Sequence, residues 1–135
     1  MADKLHFELV SPEKLLMSSD VDMVVVPGVE GDFGVLINHA PVVSTLRTGI
    51  LEVHNGENLE KLLVVGGFAE VNPGGLTVLA EEALALADVN RATLEAELKN
   101  ANEDITDAGD DKHLAHATKT RDRLAGILDV LDLIA

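Results

Sequence analysis

Leu76-Thr77-Val78-Leu79-Ala80-Glu81-Glu82-Ala83-Leu84-Ala85-Leu86-Ala87-Asp88-Val89-Asn90-Arg91-Ala92 is the stretch in which the chain changes character. Its first five residues follow the turn-forming Asn72-Pro73-Gly74-Gly75, whereas its later residues are rich in alanine, the best helix former. The same switch runs through the whole sequence. Proline stands at 12, 27, 41 and 73 and nowhere later, and nine of the eleven glycines lie at or before Gly75. Alanine does the reverse, with three instances before Ala80 and twelve from Ala80 onward. Turn punctuation therefore belongs to residues 1–86 and helix-former composition to 87–135, with a domain boundary expected near residue 86.

Upstream of that boundary the period is two. Leu5, Phe7 and Leu9 alternate with His6 and Glu8, the mark of a strand with one buried face. Further short runs, Lys14 to Ser18, Val21 to Val26, Val42 to Arg47, Ile50 to His54, Leu59 to Val65, Phe68 to Val71 and Leu76 to Ala80, are bounded by Gly, Pro, Asn or Asp. Asn55-Gly56 lies between two of them and tolerates the positive φ that a tight hairpin needs. Many short strands without alternating helices predict a β-sandwich or barrel and argue against a Rossmann-like sheet.

Downstream the period becomes 3.6. Ala87, Leu94, Leu98, Ala101 and Ile105 share one arc of a helix, with Glu95, Glu97 and Glu103 outside it. Thr106 to Asp111 then breaks the pattern, and Asp110 or Asp111 is placed to cap a second helix from about Lys112 to Ile134. Its stripe of Leu114, Ala117, Leu124, Leu128 and Leu131 is expected to pack on the first helix as an antiparallel hairpin.

Composition excludes several functions. The chain of 135 residues carries 24 acidic and 10 basic side chains, a formal charge of −14, which repels nucleic acid and anionic lipid. Apolar residues at 47% and a mean hydropathy of +0.19 still supply a core. With no Cys there are no disulfides, thiol nucleophiles or thiolate metal sites. Met1-Ala2-Asp3-Lys4 opens without a signal or transit pattern, and no apolar run approaches the roughly 20 residues of a membrane helix, so no direct membrane insertion is expected.

Catalytic and metal constellations do not emerge either. His6, His39, His54, His113 and His116 have no H-E-x-x-H companion, and His113-x-x-His116 is a weak metal pair. Gly31-Asp32-Phe33-Gly34 and Asn72-Pro73-Gly74-Gly75 lack the Lys-Ser/Thr ending of a phosphate loop and read as turns beside Glu30 and Glu70. No Ser sits in a G-x-S-x-G elbow. Without Trp or Tyr the chain has no stacking platform for a sugar. One charge pattern stands out: Lys112, His116, Lys119 and Arg123 recur along one face of the second helix, suited to an anionic partner or to offsetting nearby acids.

Pro27-Gly28-Val29-Glu30-Gly31-Asp32-Phe33-Gly34-Val35-Leu36, His39-Ala40-Pro41, Gly49, Gly66-Gly67-Phe68-Ala69-Glu70-Val71 and Val78-Leu79-Ala80 together resemble the epsilon subunits of F-type ATP synthases, called delta in mitochondria. The resemblance spans essentially the whole chain. It implies an N-terminal sandwich of about ten short strands followed by a two-helix hairpin. It also implies a non-catalytic rotor part that couples ion-driven c-ring rotation to ATP synthesis, with no catalytic residues and no metal. The sandwich is then expected to bind the gamma subunit and the c-ring, with Glu30, Gly31, Asp32, Phe33, Gly34 and His39 at the contact. The expected place is peripheral, on the cytoplasmic face of a bacterial inner membrane, although a plastid-encoded member would also lack a transit peptide.

For the hairpin the resemblance implies regulation. A basic face of Lys112, Lys119, Arg121 and Arg123 is expected to meet acidic segments of the beta and alpha subunits and to restrain ATP hydrolysis, although Asp129 and Asp132 near the end oppose this. No cofactor is required, but ATP is a candidate regulatory ligand. Ala87-Asp88-Val89-Asn90-Arg91-Ala92 matches an I/L-D-x-x-R-A motif except at Ala87, with Lys119 and Arg123 as further phosphate partners. The plainer alternative is that Asp88 caps a helix and Arg91 pairs with Glu95.

Overall fold

A computed structural model describes residues 3–134. The chain divides into two units, Met1–Asp88 and Val89–Ala135. Met1, Ala2 and Ala135, at the outer ends of the two expected domains, lie outside the described residues.

The first unit contains eight strands: β1 (Leu5–Val10), β2 (Leu15–Val21), β3 (Met23–Gly28), β4 (Gly31–Val35), β5 (Val42–Thr45), β6 (Gly49–Asn55), β7 (Asn58–Asn72) and β8 (Gly75–Ala85). They form one sheet in the order β2-β1-β8-β7-β6-β3-β4, with β5 on β7. The last two strands are long, and each changes its outer neighbour partway. β6 pairs with β7 up to Val64, and β5 pairs with it from Phe68 onward. Likewise β1 pairs only with the Gly75–Leu79 part of β8. The sheet thus doubles over into layers β2-β1-β8-β7-β5 and β4-β3-β6-β7-β8, a sandwich. Counting each half of β7 and β8 separately gives the ten strands expected, carried on eight continuous ones.

The corner lies at Gly66-Gly67. Both residues have positive φ, 65° and 110°, a region that costs glycine little and other residues much. Before it the inward residue of β7 is Val64; after it Ala69 and Val71 point inward, so the buried parity changes from even to odd. On β8 the inward Leu76, Val78 and Ala80 give way to the partly buried Ala83. A Cβ on Gly67 would lie 1.9 Å from the carbonyl oxygen of Leu79. The strands fill the space between the layers with Leu5, Phe7 and Leu9 of β1, Val24 and Val26 of β3, and Leu51 and Val53 of β6. Burying a side chain such as Phe7 contributes roughly 1.5–3 kcal/mol.

Several expected boundaries move. The run Val21 to Val26 is broken at Asp22, which accepts from Lys4 Nζ at 2.6 Å and from the amide of Gly56 at 2.5 Å. This joins the β2–β3 corner to the Asn55-Gly56 turn. Leu59 to Val65 and Phe68 to Val71 are one strand, since pairing to β8 continues on either side of the corner, Val65 with Glu82 and Gly67 with Ala80. Gly31–Val35, expected as a turn, is strand β4, because Phe33 and Val35 pair with Val26 and Val24 and face the core side.

The second unit is a hairpin of α1 (Arg91–Asp107) and α2 (Asp111–Ile134). α1 starts at Arg91 instead of near Ala87, because Asn90 is its N-cap and accepts from Thr93 N at 3.1 Å. Ala87 and Asp88 end a short 3-10 turn, so Asp88 is not the cap. Asp110 caps α2, accepting from His113 N at 2.8 Å. Ala101, Ala117, Leu124, Ile127 and Leu128 are buried, whereas Leu114, expected in the apolar stripe, is 40% exposed. The stripe lies closer to the C-terminal half of α2 than the sequence pattern placed it.

Gly67→Ala should lower the stability of the chain by roughly 2–5 kcal/mol, from the clash with Leu79 and the left-handed backbone together, measured by urea unfolding. The carboxyl of Asp22 is held below its ordinary value of 3.8, first by the Lys4 hydrogen bond and then by the Gly56 amide. Its contribution is therefore complete above that ordinary value and is lost as pH falls through the lowered one. The denaturation midpoints of wild type and Asp22→Asn should differ at neutral pH and converge as pH falls below the ordinary carboxylate range.

Candidate functional site

β3 and β4 form a tight hairpin at the rim of the sandwich, with Gly28 opposite Gly31, Pro27 opposite Asp32 and Val26 opposite Phe33. The connecting residues are Val29 and Glu30. A side chain on Gly28 would come within 2.9 Å of the Gly31 carbonyl and 3.1 Å of both Phe33 and Ser44, so only glycine fits there. Gly31 takes φ 138°, which releases the chain into β4. The result is a stiff, projecting tip on which Glu30, Gly31 and Asp32 are exposed while Phe33 is anchored against the core.

Opposite this tip runs the segment from Leu36 to Val42. Asn38 adopts φ 66° and its amide donates to the carbonyl of Pro73 at 2.5 Å. This turn delivers His39, whose Nδ1 donates to the Ala40 carbonyl at 2.7 Å. Between tip and segment lies an open cleft of about 400 Å³ lined by Glu30, Gly31, Asp32, Phe33 and His39, closed on the far side by Pro41 and Val42. Five of the six residues expected at the docking contact thus meet around one cleft. Gly34 does not line it; it sits within β4, where an added Cβ would find only Met23 sulfur at 3.5 Å.

The electrostatics depend on a residue that sequence reading passed over. Arg47, just after β5, donates from Nη2 to Asp32, and its backbone amide donates to the Pro27 carbonyl at 3.1 Å. Gly49 makes room for it: a Cβ there would be 2.5 Å from Arg47 Nη1 and 2.7 Å from Pro27 Cβ. Asp32 is therefore already answered within the chain, and Glu30 is the carboxylate on the tip with no ion-pair partner among the described residues. Around the charges Val29, Leu36, Val42, Val43 and Phe68 are between 40 and 68% exposed. Five large apolar side chains at the rim of an acidic domain form a surface suited to a protein partner.

The hairpin residues gather less. Arg91 Nη2 donates to Asp132 at 2.6 Å, with Glu95 3.5 Å from Nη1, and the Asp132 hydrogen bond is the main cause raising its already high pKa. An anionic ligand at Arg91 would have to displace a carboxylate of the chain itself. Ala92 is exposed in the first turn of α1. Lys112 and Lys119 are exposed on α2, Arg123 is half-buried, and Arg121 pairs with Asp122 at 2.8 Å. On a continuous helix Lys112, Lys119 and Arg123 stay within about 40° of one another, whereas Arg121 lies about 200° around from Lys119, so Arg121 alone leaves the expected basic face.

The histidines take local partners: His6 bridges Asp20 and Glu8 at 3.0 Å each, which raises its pKa, Asp20 more than Glu8. His54 meets Glu52, and His113 gives its Nδ1 to Asp110. No group of three potential ligands is placed for a metal among the described residues. No described helix is long and apolar enough to cross a membrane.

Residues 4–86 match the family model of the ATP synthase delta/epsilon chain, β-sandwich domain. The chain is 53% identical over 125 residues to an ATP synthase epsilon chain of Parvibaculum lavamentivorans, covering 92% of this chain and 95% of that protein. It is 52% identical over 118 residues to the one of Paramagnetospirillum magneticum, covering 87% and 89%. Among solved structures, the fold is similar to a chain of the Euglena gracilis mitochondrial ATP synthase OSCP/F1/c-ring assembly, with a TM-score of 0.76, 24% identity, and coverage of 99% of this chain and 82% of that one. A chain of the Tetrahymena thermophila central stalk/c-ring structure gives 0.56 at 15% identity, covering 90% and 94%. With a family model over more than half its length and relatives above 50% identity over nearly all of it, the chain belongs to the ATP synthase delta/epsilon family.

Proposed function

We propose that this chain is the non-catalytic epsilon subunit of a bacterial F-type ATP synthase, a rotor part whose sandwich rim joins the gamma subunit to the c-ring at the cytoplasmic face of the inner membrane. The observation that carries the reading is the cleft between the β3–β4 tip and His39. A glycine-built tip, a Glu30 with no ion-pair partner among the described residues, and exposed apolar side chains such as Val29, Leu36 and Val42 make a surface that a partner can grip without deforming it. A rotor joint has to transmit torque, and a tip fixed by strand pairing on one side and by Arg47 on the other resists bending better than a free loop. Glu30 is placed to accept from an Arg or from other donors on the partner, and the open glycine backbone lets that partner approach closely.

Regulation through the hairpin is no part of this proposal. Arg91 is engaged by Asp132 and Arg121 by Asp122, whereas Lys112, Lys119 and Arg123 keep one face of α2.

Glu30→Lys should weaken coupling: in reconstituted synthase, ATP-driven proton pumping should fall severalfold while the purified chain, whose Arg47–Asp32 pair is untouched, keeps its unfolding midpoint within error. Undiminished pumping would remove the tip from the contact. Gly49→Ala should act at a distance, by pushing the Arg47 guanidinium off Asp32. Pumping should drop in that variant as well, and Arg47→Gln, which removes the guanidinium without crowding Pro27, should reproduce the loss.

A further inference from the structure

Each helix of the hairpin carries its end charge in the wrong place. A helix favours anions at its N-terminus and cations at its C-terminus, where its own peptide dipoles are unsatisfied. α1 has no acidic residue in its first turn and opens instead on the cation Arg91. α2 has no basic residue in its last turn and closes on the anion Asp132. Taken alone, each helix is weakened by its own terminus.

The antiparallel hairpin reverses both signs. It brings the start of α1 beside the end of α2, so that residues 41 apart in sequence meet at 2.6 Å, with Glu95 one turn along α1 at 3.5 Å. Arg91 then stands next to the carbonyl end of α2, and Asp132 next to the amide end of α1. We infer that Arg91 and Asp132 are a reciprocal cap that exists only while the two helices lie side by side, and that this pair selects the closed hairpin over any arrangement with the helix ends parted. An exposed ion pair is weak in itself. Here the same two charges also penalise the parted state, so the difference between states exceeds what the pair contributes in one of them. Being exposed, the cap weakens with salt.

Amide hydrogen exchange of the full chain tests this, read at residues 94–97 of α1 and 128–134 of α2. Arg91→Gln and Asp132→Asn should each speed exchange there by about twofold to fivefold at low salt, and the doubly neutral chain should exchange no faster than the singles. Raising the salt concentration should speed exchange in the wild type and leave the doubly neutral chain unchanged. The exchanged pair, Arg91→Asp with Asp132→Arg, keeps an ion pair but aligns each charge with its own helix and thereby lifts the penalty on the parted state, so its protection should fall below that of the wild type. Additive effects of the two neutral substitutions, or an exchanged pair as well protected as the wild type, would overturn the inference.

Discussion

The sandwich depends on one break in backbone conformation, at Gly66-Gly67. Two consecutive left-handed residues in the middle of β7 let a strand of 15 residues leave one layer and enter the other without losing its pairing to β8. Everything that positions the rim follows from that corner. β5 takes the later half of β7 and β6 the earlier half, so the strands beside the cleft, β5 on one layer and β3–β4 on the other, face each other across the end of the core. A side chain at Gly67 would fall on the Leu79 carbonyl and force the layers apart. The Gly-Gly pair is thus a requirement of close backbone approach more than of flexibility.

Charge is managed locally in a protein with a formal charge of −14. Lys4 holds Asp22, Arg47 holds Asp32, Arg91 holds Asp132, and His6 stands between Asp20 and Glu8. Three of the cations thus fix a turn, a tip and a helix end. Glu30 has a position that matters: it lines the rim cleft beside Phe33, Pro41 and Val42. Such a combination gives a partner both buried area and one directional contact.

Much of this was legible in the sequence, and the remainder fails for physical reasons. The alternation of Leu5, Phe7 and Leu9 reads directly as a buried strand face, and the alanine switch after residue 80 separates strands from helices. Gly31 to Gly34 misleads, because its two glycines, with Gly28 before them at the same spacing, look like loop, and only pairing of Phe33 with Val26 makes the segment a strand. Val64 to Val71 misleads differently: a strand whose inward parity flips at two glycines resembles two strands. The tip residues Glu30 to Phe33 and His39 stand together in the motif that carries the family resemblance. Arg47 was not, since its partner is 15 residues away and nothing local marks it except a following glycine whose purpose is steric. Asp132 likewise reads as a charge out of place until its partner 41 residues earlier is beside it.

The rotor assignment predicts a distinction that few other roles share: the chain must turn together with what it touches. Because the sequence contains no cysteine, a single cysteine in place of Glu30 is a unique attachment point. The decisive measurement is disulfide crosslinking of that position to a cysteine in the polar loop of the c subunit, followed by ATP-driven proton pumping of the crosslinked synthase. If the tip and the ring are parts of one rotor, the crosslink forms in high yield and pumping continues, since joining two parts that rotate together blocks nothing. A tip that does not crosslink to the ring, or a crosslink that stops pumping, would contradict the account.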